Sequence, residues 1–299
     1  MLNLEPTLSP LLVIDIGWSP DIATIGGFLL TWHGLFTALG ILAGVNLSLR
    51  MAKVIHYDED DAYTLALVGV PSGIIGARLL FVIENWDFYG DNLGNIFAIT
   101  EGGISIWGAI LGGIAGAYIF ALIRGYANTG ALDIAAFGII IGQAVGRVGD
   151  VINGEHRSIP TDLPWGVIYT HADSPGFAHS FTVGAVHPAT GYELIGDLVI
   201  LGVLFLVFFT VFKHRPGLTF LTYFIGYAVM RFFLTELRVD SAESLFGLRV
   251  PQVIALGVLL VSVPLVAYYA TQPPEQRLVA ADAPEGQTPS SRRIPVRRR

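Results

Sequence analysis

The chain has 299 residues, 53% of them hydrophobic and 14% charged, with no cysteine and a formal net charge of −7. A mean hydropathy of +0.62 excludes an ordinary soluble domain and marks a protein embedded in lipid. The missing cysteines exclude disulfides, thiolate metal sites and a cysteine nucleophile of the chain's own, so any thiol in its chemistry has to arrive on a partner.

Before Arg50 there is no Lys or Arg, hence no basic n-region of a cleavable signal peptide, and the first span is expected to act as its own targeting signal. Apolar runs long enough for a ~30 Å hydrocarbon core predict spans near Ile25 to Leu47, Ala62 to Ile83, Gly103 to Ile123 and Ala131 to Val151. Three more follow near Leu194 to Phe212, Leu218 to Leu237 and Pro251 to Tyr269. The predicted fold class is therefore an all-α polytopic membrane protein of about seven spans, a membrane domain over residues 1–272. Between the fourth and fifth spans, residues 153–191 hold PTDLPWG and VHPATGYE, whose prolines and aromatics predict a small ordered extracytoplasmic cap. Residues 273–299, with PP, PSS and RRIPVRRR, lack apolar periodicity and read as a disordered basic tail.

Basic residues mark alternate loops: Arg50 and Lys53, then Arg124, then Lys213 and Arg215, then the tail. The first loop on the opposite side carries Glu84, Asp87, Asp91 and Glu101 and no base. The positive-inside rule then sets the N-terminus outside and the C-terminus in the cytoplasm, across a plasma membrane. The tail's arginines lie beside an anionic leaflet, which is a simpler partner for them than nucleic acid. Glycines at four-residue spacing, Gly108, Gly112 and Gly116 in the third span and Gly138, Gly142 and Gly146 in the fourth, read as scaffold that lets helices approach closely.

Arg78, Arg147 and Arg231 lie in three different spans, all about 20 to 24 Å from the cytoplasmic ends at ~1.5 Å per residue. Each has a local explanation: Arg147 paired with Asp150, Arg231 with Glu236, Arg78 snorkelling to the outer headgroups. Together they point to something shared, because a charge in a span costs at least ~2.5 kcal/mol and guanidinium forks suit phosphate. A lipid phosphate of the outer leaflet is available at that depth. Polar residues gather at the same end: His33, Trp107, and beyond Asp150 the residues Asn153, Glu155 and His156. Tyr192 and Glu193 read as anchors of the fifth span's outer end, and Trp107 as a lipid-facing or pocket-lining aromatic. The seven histidines are scattered, with no HxxxH or HExxH pattern, so no metal site and no cofactor is expected.

GRVGDVINGEH, Gly146 to His156, together with WHG, IGAR, EGGISIWG, HPATGYE and RFFLTELRVD, resembles the prolipoprotein diacylglyceryl transferase family, in order, from about Ile22 to Ala267. The resemblance implies transfer of the diacylglyceryl group of phosphatidylglycerol to the lipobox cysteine of a preprolipoprotein signal peptide, releasing glycerol phosphate, in a bacterial membrane. It implies phosphate handling by Arg147 and Arg231 and a polar floor of Asp150, Asn153 and Glu155. It further places Arg78, Gly102, Gly103 and Trp107 at the substrates, with Gly154, His187, Glu236 and Arg238. The chain departs from the family pattern at His33, where many members have tyrosine, and at Trp107, where many have histidine. Asp150 stands for the signature asparagine, Ser158 for a glycine shortly after it, and Thr235 occupies the position one turn beyond Arg231. Making thiolate from a thiol of pKa near ~8.5 takes a base or a positive field, and His33, Glu155 and His187 are the candidates, in that order. Two rivals stand beside this reading: a lipid or small-anion transporter using the same arginines, and an inactive relative that binds lipid without transferring it.

Overall fold

The computed structural model describes residues 13–26, 28–97, 103–124, 129–212, 215–241, 243 and 247–272. The tail expected to be disordered lies outside these residues. Seven helices are long and apolar enough to cross a membrane. They are α1 (Trp32–Val54), α2 (Glu59–Glu84), α4 (Ile106–Arg124), α5 (Thr129–Asn153), α7 (Ala189–Val207), α8 (Leu218–Leu234) and α9 (Val250–Thr271), joined by the short α3 (Trp86–Tyr89) and α6 (Phe177–Val183). The chain divides into two compact units, one of residues 1–44 and 140–273, the other containing 45–139.

In the first unit the predicted first span is shifted by about two turns. Residues from Asp21 do not enter the helix but form a hairpin of β2 (Asp21–Ile25) and β3 (Phe28–Thr31). Gly26, at φ 58°, takes the left-handed turn that a side chain would disfavour. The helix recovers its length at the other end, through Ser48 to Val54. Upstream, β1 (Ile14–Ile16) pairs in parallel with β4 (Val167–Tyr169), which ties the N-terminal segment to the extramembrane cap. Val167 also bridges Val186, so the chain leaving α5 and the chain entering α7 are held side by side.

Packing in this unit follows small residues and burial. A Cβ on Gly40 of α1 would lie 2.6 Å from the Gly142 carbonyl of α5, so the two backbones touch where neither has a side chain. α8 is the most enclosed span, with 56% of its apolar window buried against 11% for α9, whose Leu260 and Val261 face outward. Tyr223, Tyr227 and Arg231 form a buried stripe at four-residue spacing along α8. A span that carries polar groups on one face can lie in lipid only if that face is turned inward.

In the second unit, α2 starts at Asp58, whose carboxylate accepts from the backbone N–H of Asp60 and Asp61 at 3.0 Å, with Glu59, Asp60 and Asp61 complementing the helix dipole. Gly76 meets Gly108 and Gly112 of α4, where a Cβ on Gly112 would sit 2.7 Å from the Gly76 Cα. The glycine spacing of the third span is scaffold here, as its sequence predicts.

Candidate functional site

The site grows from one end of the first unit's helices. Near the end of α5, Arg147 Nη1 donates to Asp150 Oδ2 at 2.8 Å, one turn away. Gly149 between them lets α1 close in, because a Cβ there would lie 2.8 Å from the His33 Cα. His33, second residue of α1, then reaches the other oxygen of the same carboxylate, Nδ1 to Asp150 Oδ1, at 2.6 Å. A carboxylate accepts, so the imidazole proton sits on Nδ1 and Nε2 is the ring nitrogen left for other work, on a side chain 36% exposed.

Glu193, fully buried in the second turn of α7, is the centre of the arrangement. Its Oε2 lies 2.8 Å from Arg147 Nη2, its Oε1 accepts from Arg231 Nη1 of α8, and Arg238 Nη1 stands 3.4 Å from the same oxygen. Arg238 also forks Asp240, Nε to Oδ1 and Nη2 to Oδ2 at 3.1 Å each, and its Nη2 is 2.7 Å from His156 Nδ1. A continuous chain of ionic contacts therefore runs from His33 through Asp150, Arg147, Glu193 and the two further arginines to Asp240. Three guanidinium groups face three carboxylates, the condition under which buried charge is tolerated. One donor of the cluster is left over: among the described residues, Arg231 Nε is buried with no hydrogen-bond partner, as is the acceptor Asn153 Oδ1.

Outside the spans, burial pushes the His156 imidazole below its ordinary value, against the Asp240 hydrogen bond. Burial works to raise Asp240, but His156 and Arg238 hold its carboxyl well below the usual carboxylate range. Gly154, at φ 76°, turns the chain into the cap, and a Cβ on it would meet Ser174 Oγ at 2.6 Å. Asn153 Nδ2 donates to Glu155 Oε1 at 2.9 Å, joining two floor residues directly.

The other expected residues make other contacts. Glu236 does not pair with Arg231; it sits in the 3-10 turn Thr235–Leu237 and accepts from Gln252 Nε2 of α9 at 2.5 Å. His187 meets Tyr192 Oη at 3.2 Å, and Trp165 Nε1 donates to that hydroxyl at 2.7 Å, so His187 braces the cap rather than joining the charged cluster. Trp107 is 1% exposed and packs inside, not against lipid. Arg78, in the second unit, does not snorkel: it is buried and donates to the carbonyls of Ile96, Asn95 and Gly103 at 2.9, 2.6 and 2.9 Å. Gly103, at φ 82°, thus serves through its backbone, and Gly102 lies outside the described residues. Glu193 corrects the reading of it as an interfacial anchor. The signal was present in the sequence ELIGD, two acids four apart in an apolar run, which marks a polar face inside the bundle. Among the described residues no group of three His, Asp or Glu side chains could hold a metal.

The chain is thus a multi-pass membrane protein that encloses a charge-matched arginine cluster between its spans, with a histidine–aspartate pair at one end. The sequence model of the prolipoprotein diacylglyceryl transferase family matches residues 20–268, and the chain belongs to that family. It is 38% identical to a phosphatidylglycerol–prolipoprotein diacylglyceryl transferase of Gloeobacter violaceus, over 82% of this chain and 91% of the relative. Relatives of the same name from Acaryochloris marina and Clostridioides difficile are 36% and 35% identical, over 79% of this chain and 85% and 90% of their own.

Proposed function

We infer that the chain is a phosphatidylglycerol–prolipoprotein diacylglyceryl transferase: it moves the diacylglyceryl group of phosphatidylglycerol to the cysteine thiol of a prolipoprotein lipobox. Family membership favours this over a transporter. The observation that carries the residue assignment is the convergence of Arg147 and Arg231, from two spans, on the single buried carboxylate of Glu193. In the reaction the cysteine sulfur bonds to the terminal glyceryl carbon, the bond from that carbon to a phosphate oxygen breaks, and glycerol phosphate leaves. Charge grows on the departing phosphate, where preorganised guanidinium donors stabilise it most. Arg231 Nε, a buried donor without a partner, suits such an oxygen.

The thiol proton needs an acceptor. His33 suits that role best, because Asp150 holds Nδ1 and leaves Nε2 as base, the division of labour of a histidine–aspartate pair in other acyl and alkyl transfers. Asn153 and Glu155 complete the polar floor, and Arg238 holds Glu193 from outside. The thiol proton, once on His33, is released to the glycerol phosphate or to water. The arginine distribution of the loops supports a cytoplasmic C-terminus and an outer-leaflet site. Lipid and prolipoprotein are the partners expected; nucleic acid is not.

The test is transfer in vesicles of phosphatidylglycerol, using a lipobox peptide read by mass spectrometry. A diacylglyceryl adduct is expected with the cysteine peptide and none with its serine counterpart. Arg147→Ala should insert normally and lose at least about a thousandfold in kcat/KM, the scale of losing positioned transition-state donors. Normal turnover by a well-inserted Arg147→Ala protein would remove the phosphate role.

A further inference from the structure

One turn from the arginine–glutamate cluster lies a second polar layer that the transferase reading does not use. On α7, Asp197 follows Glu193 by four residues; on α5, Gln143 precedes Arg147 by four; on α8, Tyr227 precedes Arg231 by four. Each offset places the side chain on the same helix face, about 6 Å along the axis from the cluster. Asp197 is 0% exposed, and among the described residues neither of its carboxyl oxygens has a hydrogen-bond partner. Gln143 is also buried: its Oε1 accepts from Tyr223 Oη at 3.1 Å, and its Nε2 has no partner. Tyr223 and Asp197 are within electrostatic range of one another, as are Asp197 and both Arg147 and Arg231, so the two layers adjoin.

A buried carboxyl with two empty acceptor positions is costly in lipid, and buried polar groups in native proteins find partners. The cluster one turn away has its own acids, so Asp197 is not needed to balance the arginines. These side chains suit a group that brings hydroxyl donors for two carboxyl oxygens and an acceptor for one amide N–H. Two sources have that chemistry: water, and the headgroup glycerol of the lipid. The glycerol is tethered to the phosphate by a few bonds, a reach that matches one helical turn, and so arrives at high effective concentration whenever the phosphate is seated.

Resting on the transferase reading, we propose that Asp197, with Gln143, is the subsite for the hydroxyls of the phosphatidylglycerol headgroup and sets the enzyme's selectivity for a polyol-bearing lipid. Asp197 accepts from the hydroxyls, and Gln143 Nε2 donates to one of their oxygens. A site built to hydrogen-bond a hydroxyl discriminates strongly against an analogue that lacks it, because the buried partners are then left unpaired.

The test compares transfer from phosphatidylglycerol with transfer from phosphatidylpropanol, which has the same charge and chains but no headgroup hydroxyls, using the full chain in vesicles. The wild type should prefer phosphatidylglycerol by about a hundredfold in kcat/KM, and in Asp197→Ala that ratio should fall to within about threefold. Gln143→Met should lower the same ratio by about tenfold, and it stands in for Asp197→Ala should that variant not fold. A wild type that uses both lipids equally leaves water as the occupant and overturns the subsite. So does a variant in which both rates fall and the ratio holds, because Asp197 is then structural. A wild type that transfers from neither lipid instead refutes the transferase reading, and this inference with it.

Discussion

Two regions of this protein bury arginine in a membrane span, and they do it in opposite ways. In the second unit, Arg78 of α2 closes its guanidinium on three backbone carbonyls, at Ile96, Asn95 and Gly103, with the rings of Phe81 and Tyr89 at 5.9 and 5.2 Å. In the first unit, Arg147 and Arg231 meet the carboxylates of Asp150 and Glu193. Carbonyls are neutral acceptors fixed by the backbone, so Arg78 works as a clasp that holds the chain after α3 onto the end of α2. Carboxylates are charges on side chains, so Arg147 and Arg231 belong to a network of mutually paired charges. The identity of the partner, more than the depth of the arginine, separates the two regions.

The sharpest way to break this contrast is at Glu193. Glu193→Ala leaves three guanidinium groups facing a lost carboxylate and should cost about 3–5 kcal/mol of stability, the scale of an unpaired buried charge. Transfer should be lost as well, with both effects read by thermal unfolding in detergent and by the peptide assay. Stability unchanged by Glu193→Ala would mean the arginines do not depend on it. At Arg78 the expected effect is smaller and of a different kind. Arg78→Met removes three donors from backbone carbonyls, so it should cost about 1–3 kcal/mol. The surviving folded enzyme should keep its KM for phosphatidylglycerol; a large rise in KM would place Arg78 at the lipid.

The smallest effect concerns pH at the outer end of the network. Burial holds the His156 imidazole below its ordinary value of about 6.5. The unfolded chain therefore binds that proton first, and stability falls as pH is lowered through about 6.5. Asp240, held low by His156 and Arg238, contributes stability above about 3.9 that is lost only below it, so it does not blur this window. Between pH 8 and pH 5.5 the unfolding midpoint should drop by about 2–4 °C. His156→Gln should flatten that slope; an unaltered slope would assign it to another group.

Much of this was legible along the chain. The spans follow from apolar run length, and the Arg147–Asp150 pair from a three-residue separation on one helix face. The glycine contacts of α2 with α4 follow in the same way, because each depends only on residues close in sequence or on composition. The hairpin before α1 was missed, since apolar residues of a paired strand and of a span cannot be told apart by hydropathy. Glu236 looked like the partner of Arg231 because it is near in sequence, but the helix ends before it and a 3-10 turn carries it to α9.

By itself, then, the amino-acid sequence determined that the chain enters lipid, how many times it crosses, and that charged side chains must be turned away from the hydrocarbon. Only the tertiary structure decided which opposite charges meet. Arg231 and Glu193 are 38 residues apart, and Arg238 and His156 are 82 apart. The physical reason is that burial makes pairing obligatory without choosing the partner. Lipid penalises any lone charge alike, and the choice among acids falls to the packing of α5, α7 and α8, which brings one carboxylate within reach of three arginines.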